Sequence, residues 1–149
     1  MKHSGMFFFI VILFTSLFGC GSSNTQKAVT EQTIAAKIKK AFPKSTIISM
    51  NKEQRNDKEQ FAVVINDGEE KRSLRYSENG ILVEITQSVQ PAQLPLLITK
   101  SVQEQYPEGV VFLALKTTRG KTVFYQLAVR DGARKIEMNL DAKGKPILR

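Results

Sequence analysis

The side chains able to do covalent or metal chemistry are few, and nearly all sit at one end of the chain. The one histidine is His3 and the one cysteine is Cys20. A Cys–His or Ser–His nucleophile needs an imidazole within hydrogen-bond reach of the thiol or hydroxyl, and zinc sites draw on the same residue types. With both residues among the first twenty, neither chemistry is expected of the remainder. Paired carboxylates can run glycoside chemistry, but Glu69-Glu70 and Glu78 lie in or beside turn-like sequence where water would surround them. Asp57, Asp67, Asp131 and Asp141 lack the dense alternating spacing of a calcium loop. "NDG" and "RDG" have the composition of hairpin turns, and no glycine-rich phosphate loop is found. The expectation is a protein that is not an enzyme, with no catalytic residue, no metal and no cofactor.

Cys20 is the exception, because its neighbours supply a chemistry for it. "MKHSGMFFFIVILFTSLFGC" has a cation at Lys2 and an apolar run of 13 residues from Met6 to Phe18, broken only by Thr15 and Ser16. That is the plan of a secretory signal peptide, and it falls short of the roughly 20 residues that span a bilayer. Leu17-Phe18-Gly19-Cys20 resembles the lipobox of bacterial lipoproteins, which implies that Cys20 is diacylated and becomes the mature N-terminus. Two acyl chains hold a protein on a membrane where one would be marginal. Residues 1–20 are therefore expected to be a lipoprotein signal peptide, and residues 21–29, small and polar, a flexible tether. Export with no second cysteine leaves no disulfide for the fold. In a Gram-negative cell, Gly21 rather than Asp after the lipidated residue favours the outer membrane, facing the periplasm.

The charge balance narrows the partners. Against 14 acidic residues stand 22 basic ones, a net +8 that becomes +7 without Lys2. A basic domain raises nucleic acid first, but an exported, tethered domain would not meet it. Acidic lipid headgroups, acidic cell-wall polymers or a protein or peptide partner in the envelope fit better.

Self-similarity then organises the mature chain. Shifting it by 64 residues pairs 34–85 with 98–149 without a gap, and eight of the 52 pairs are identical, Pro43/Pro107, Asp67/Asp131, Gly68/Gly132 and Gly80/Gly144 among them. Each copy opens on a helical stripe: Ile34, Ile38, Ala41 and Phe42, then Ile98, Val102 and Tyr106. Pro95 suits a first helical turn. Pro43 and Pro107 should end the helices, since the residue before proline is pushed out of the α region, leaving Phe42 and Tyr106 as the last core-facing side chains. β-Branched and apolar runs follow ("TIISMN" and "FAVVIN"; "VVFLALKTT" and "VFYQLAVR"), closed by Asp-Gly hairpin signals. Next come alternating runs that should point Leu74, Tyr76, Ile136, Met138 and Leu140 inward, and "ILVEI" or "KPILR" as a fourth strand. The expected class is α+β: two repeats, 30–88 and 89–149, each one helix on a roughly four-stranded antiparallel sheet. One repeat buries little apolar surface, so the halves are expected to share a core or form a continuous sheet.

This pattern resembles the PepSY-like domains, exported bacterial modules that occur in tandem. The resemblance rests on Phe42-Pro43 and Tyr106-Pro107, Leu94-Pro95, Phe61 to Gly68 and Tyr125 to Gly132, and Tyr76 to Gly80 with Leu140 to Gly144. It implies a fold similar to that of the β-lactamase-inhibitor protein and a binding role, as in modules that restrain peptidases. If Leu74 and Tyr76 point inward, Ser73 and Arg75 point outward, and so do Gln126, Ala128, Arg130, Lys135, Glu137 and Asn139. Phe124, out of phase with Tyr125 and Leu127, is the expected exposed aromatic anchor. Arg75, Phe124, Gln126, Arg130, Lys135, Glu137 and Asn139 thus form the expected partner surface, with inhibition of an exported enzyme as its expected use. A structural contact with acidic lipid or cell-wall polymer is the alternative.

Overall fold

A computed structural model describes residues 29–68 and 70–147. The signal-peptide segment, Cys20 and all of the tether before Val29 lie outside the described residues. Helix α1 (Glu31–Ala41) begins at Thr30, whose hydroxyl accepts the Thr33 backbone N–H at 3.3 Å, satisfying one of the unpaired donors of the first turn. Glu31 in the first turn and Lys39 and Lys40 in the last oppose the helix dipole with charges of the favourable sign. The helix stops as Pro43 demands: Phe42 leaves the helical conformation at φ −130°, while its N–H still reaches the Ile38 carbonyl at 2.7 Å. Helix α2 (Leu96–Gln105) ends in the same way, with the Tyr106 N–H on Val102 at 2.7 Å. Pro95 lies just before the first turn, where its carbonyl accepts from Ile98 and Thr99. A single 3-10 turn, Pro91–Gln93, precedes it.

Seven strands follow one another in the sheet in chain order, all antiparallel: β1 (Thr46–Arg55), β2 (Lys58–Asp67), β3 (Glu70–Ser77), β4 (Leu82–Ser88), β5 (Val110–Arg119), β6 (Thr122–Asp131) and β7 (Arg134–Asp141). The limits of β5, β6 and β7 fall 64 residues after those of β1, β2 and β3. The sheet is continuous, because β4 pairs with β5 through four partners from Ile85↔Thr118 to Ser88↔Leu115. Among the described residues the expected fourth strand of the second half is not found. Its segment folds back on β7 through the Ile147 N–H on Asn139 and one bridge, Leu140↔Pro146, and a proline without an N–H cannot extend a ladder.

Both helices pack on one face of this sheet. Ile34 and Ile38 of α1 close over Phe61, Val63, Ile65, Leu74 and Tyr76. Ile98 and Val102 of α2 close over Ala114, Tyr125, Leu127, Val129, Met138 and Leu140. The pairing Ile85↔Thr118 keeps these surfaces on the same side across the join. Instead of a shared core there are two adjacent clusters linked by backbone pairing. Phe42 and Tyr106 pack at the margins of their clusters as their helices end, and the Arg72 guanidinium stands 5.6 Å from the Phe42 ring centre. Ala41, expected in the apolar stripe, is exposed. Each helix is also pinned to a turn: Lys37 Nζ donates to the Gly80 carbonyl at 2.5 Å, and Ser101 Oγ to that of Gly144 at 2.7 Å. The two glycines hold φ of +67° and +80°, which a Cβ would disfavour.

Candidate functional site

Among the described residues no helix covers the other face of the sheet, and its side chains follow from the register. Opposite residues share a face, so Leu113↔Ala128, Leu115↔Gln126 and Thr117↔Phe124 point away from α2, as do Ala128↔Glu137, Gln126↔Asn139 and Arg130↔Lys135. The register shifts between Val111 and Leu113. This is a bulge with Phe112 as the extra residue, and it flips the phase of the strand. Val111 and Ala114 join the helix side, while Leu113 and Leu115 turn to the open face. The first half has the same shift around Ile48.

Across β5, β6 and β7 the open face forms a shallow hollow of about 390 Å³. Its apolar side is Leu113, Leu115 and Ala128; Gln126, Asn139, Glu137 and Lys135 supply amides and charges around it. Phe112 stands beside this strip, 42% exposed. The Arg130 guanidinium lies 5.5 Å and Lys135 Nζ 5.9 Å from its ring centre, distances at which a cation is drawn to the face of an aromatic. Lys135 is 3.8 Å from Glu137, with both side chains largely in water, so that ion pair adds little. The result is an apolar depression rimmed by amides, next to an aromatic flanked by two cations: a surface suited to binding, with no nucleophile or acid–base pair in it. Among the described residues no group of three or more histidine, cysteine or acidic side chains could hold a metal ion.

Five of the seven sequence-predicted residues are brought together here: Gln126, Arg130, Lys135, Glu137 and Asn139. Two are not. Phe124 shares the face but is only 8% exposed; the Arg119 guanidinium lies 5.5 Å from its ring, and Thr117 and Asp141 are its partners on the flanking strands. It is not an exposed aromatic, and the exposed one beside the hollow is Phe112. Arg75 sits on β3, two strands from the nearest strand of the hollow, in a chain of ion pairs: 2.9 Å to Glu53, 3.6 Å to Glu84, with Arg119 closing on Glu84 at 2.5 Å. Burial alone would push the Glu84 carboxyl up, but the Arg119 hydrogen bond and the charges of Arg119, Arg75 and Arg55 hold it below the ordinary value of 4.5. Arg75 is thus neutralised locally. Sequence reasoning missed Phe112, Leu113 and Leu115 because "VVFLAL" is apolar throughout and shows no period from which a bulge could be located.

The chain is thus an open-faced antiparallel sheet with two helices packed behind it. No family model matches the chain, and no curated protein does. Among solved structures it is similar to a BLIP-like protein from Bacteroides fragilis (TM-score 0.61, 15% identity, covering 80% of this chain and 84% of that one). It is also similar to a DUF2874 family protein from Bacteroides ovatus (TM-score 0.62, 13% identity, 80% and 86% covered). A protein from Bacteroides eggerthii described as periplasmic aligns with a TM-score of 0.63 at 11% identity, over 80% of this chain and 87% of that one. At such identities the likeness is one of fold, and the fold is BLIP-like.

Proposed function

We propose that this chain is an exported, lipid-anchored binding protein whose open sheet face over β5, β6 and β7 engages a protein or peptide partner, with an exported enzyme as the partner class and inhibition as the outcome. The observation that carries the reading is the apolar hollow next to Phe112, with Arg130 and Lys135 against its ring. An exposed aromatic held between cations beside a desolvatable strip is the composition expected of an interface anchor. Export and lipidation rest on the lipobox-like Leu17 to Cys20. A similar structure described as periplasmic agrees with export. The common limits of β1–β3 and β5–β7 at a 64-residue spacing support reading residues 30–88 and 89–149 as two copies of a PepSY-like unit.

The test is crosslinking of the full-length chain in native envelopes, with wild type compared against Phe112→Ala/Arg130→Glu. Both side chains are exposed, so the double variant keeps the fold. Loss of a crosslinked enzyme in the variant, with its retention in a distant control such as Lys58→Glu at the β1–β2 turn, is the expected result. Equal recovery of the same partner by wild type and double variant refutes this surface.

A further inference from the structure

The face opposite the hollow has its own pattern. No acidic residue occurs between Gln32 and Lys52, a stretch that holds Lys37, Lys39, Lys40 and Lys44. Lys39, Lys40 and Lys44 are exposed, and among the described residues none of them forms an ion pair. On α2, Ile98 and Val102 take the inward positions, which leaves Leu96 and Leu97 standing outward at 68% and 53% exposure beside Lys100. Two exposed leucines in one helical turn have no role in the core described above. The acids on this side, Glu31, Glu78, Glu104 and Glu108, lie at helix ends and in turns, so the positive excess is concentrated on the second half of α1.

We propose that the outer face of α1 and α2 lies against a membrane of anionic phospholipid, with the α1 lysines at the headgroups and Leu96 and Leu97 inserted between them. Basic side chains next to exposed aliphatic ones are what bind a helix in the interfacial plane, the charges drawing it to anionic lipid and the apolar surface holding it there. The tether agrees with this orientation. Eight residues lie between Cys20 and Val29, nine steps that reach at most about 32 Å when fully extended, and they arrive one residue before the cap of α1. The orientation rests on the lipid-anchor reading for the tether alone; the charge and leucine pattern stands without it. With the helices on the lipid, the hollow on the opposite face of the sheet looks away from the membrane.

The test uses the full chain purified from its membrane and reconstituted on vesicles of phosphatidylcholine, with or without phosphatidylglycerol. A water-soluble amine reagent then maps lysine accessibility by mass spectrometry. Modification of Lys39, Lys40, Lys44 and Lys100 should fall several-fold when phosphatidylglycerol is present, and return at high salt, where exposed charges are screened. Lys58, Lys71 and Lys121, exposed on other parts of the surface, should not change. Leu96→Ser/Leu97→Ser should reduce the protection. Uniform modification on both vesicle types, with the chain still bound to them, overturns the proposal. Failure to float with pure phosphatidylcholine refutes the lipid anchor instead, and the lysine pattern on phosphatidylglycerol vesicles then decides the helix face alone.

Discussion

Replacing Gly144 by alanine tests how tightly the second helix is seated on its turn. Gly144 combines two constraints: φ of +80°, and a backbone against which α2 rests. A Cβ placed there would lie 2.6 Å from the Leu97 carbonyl oxygen and closer still to Ser101 Oγ. The left-handed conformation costs a residue with a Cβ about 1–2 kcal/mol. Ser101 can rotate away, but only by giving up its 2.7 Å hydrogen bond to the Gly144 carbonyl, about 1 kcal/mol. The Leu97 carbonyl is backbone and cannot rotate, so the helix must shift, an overpacking cost of about 1–3 kcal/mol. The total is about 4 kcal/mol, or a fall in Tm of about 15 °C at roughly 4 °C per kcal/mol for a domain of this size. Gly132 supplies the control, because its φ is also positive at +60° but nothing lies within 4 Å of its missing Cβ. Gly132→Ala should cost only the conformational part, about 1–2 kcal/mol. Thermal and urea unfolding followed by circular dichroism measure both variants. Equal shifts for the two would refute the claim that α2 is packed against this turn, leaving only the backbone angle.

Acid should separate Glu84 from the surface carboxylates. Its folded value lies below the unfolded one, so its contribution is present above the ordinary value of 4.5 and disappears as pH falls through the folded value; urea midpoints should drop more steeply on acidification for wild type than for Glu84→Gln. At the join, Thr86 and Thr117 share a hydroxyl hydrogen bond at 2.9 Å, and Thr117 is 3% exposed. Thr117→Val should cost about 1 kcal/mol in urea unfolding, and Thr86→Val/Thr117→Val less than that, because removing both partners leaves no unpaired hydroxyl.

What could be read in the sequence was the part set by local chemistry. Pro43 and Pro107 end helices through contacts with the adjacent residue, so Phe42 and Tyr106 were legible as the final helix-side contacts. Alternation in β3 and β7 placed Leu74, Tyr76, Met138 and Leu140 inward because a sheet covered on one face imposes period two. The hairpins at Asp67-Gly68 and Asp131-Gly132 carried a usable signal in their residue types, and both glycines hold positive φ. The bulges at Ile48 and Phe112 did not, since a slip of one residue within a continuous apolar run leaves the composition unchanged. Phe124 shows the same limit from another side. Strand phase placed it on the correct face, but its burial depends on Arg119 and on neighbours set by pairing with β5 and β7, and no local pattern encodes that. The union of the two sheets was only half legible: a continuous sheet was one of two expectations, and nothing local in Leu82–Ser88 or Val110–Arg119 names the other as its partner.

The chain-order arrangement of the strands also has a kinetic consequence. Every strand adds to the edge formed by the one before it, and the longest excursion between paired strands runs from Ser88 to Val110. Contacts are therefore close in sequence for a protein with this much sheet, which favours rapid folding. The first helix and strands β1 to β4 bury their own cluster before β5 is needed. A chain made from its N-terminus can close that half first and offer β4 as the template on which the second half zips up. The four-residue join, which has the fewest partners of any strand pair, would then form as the bridge between the two nuclei.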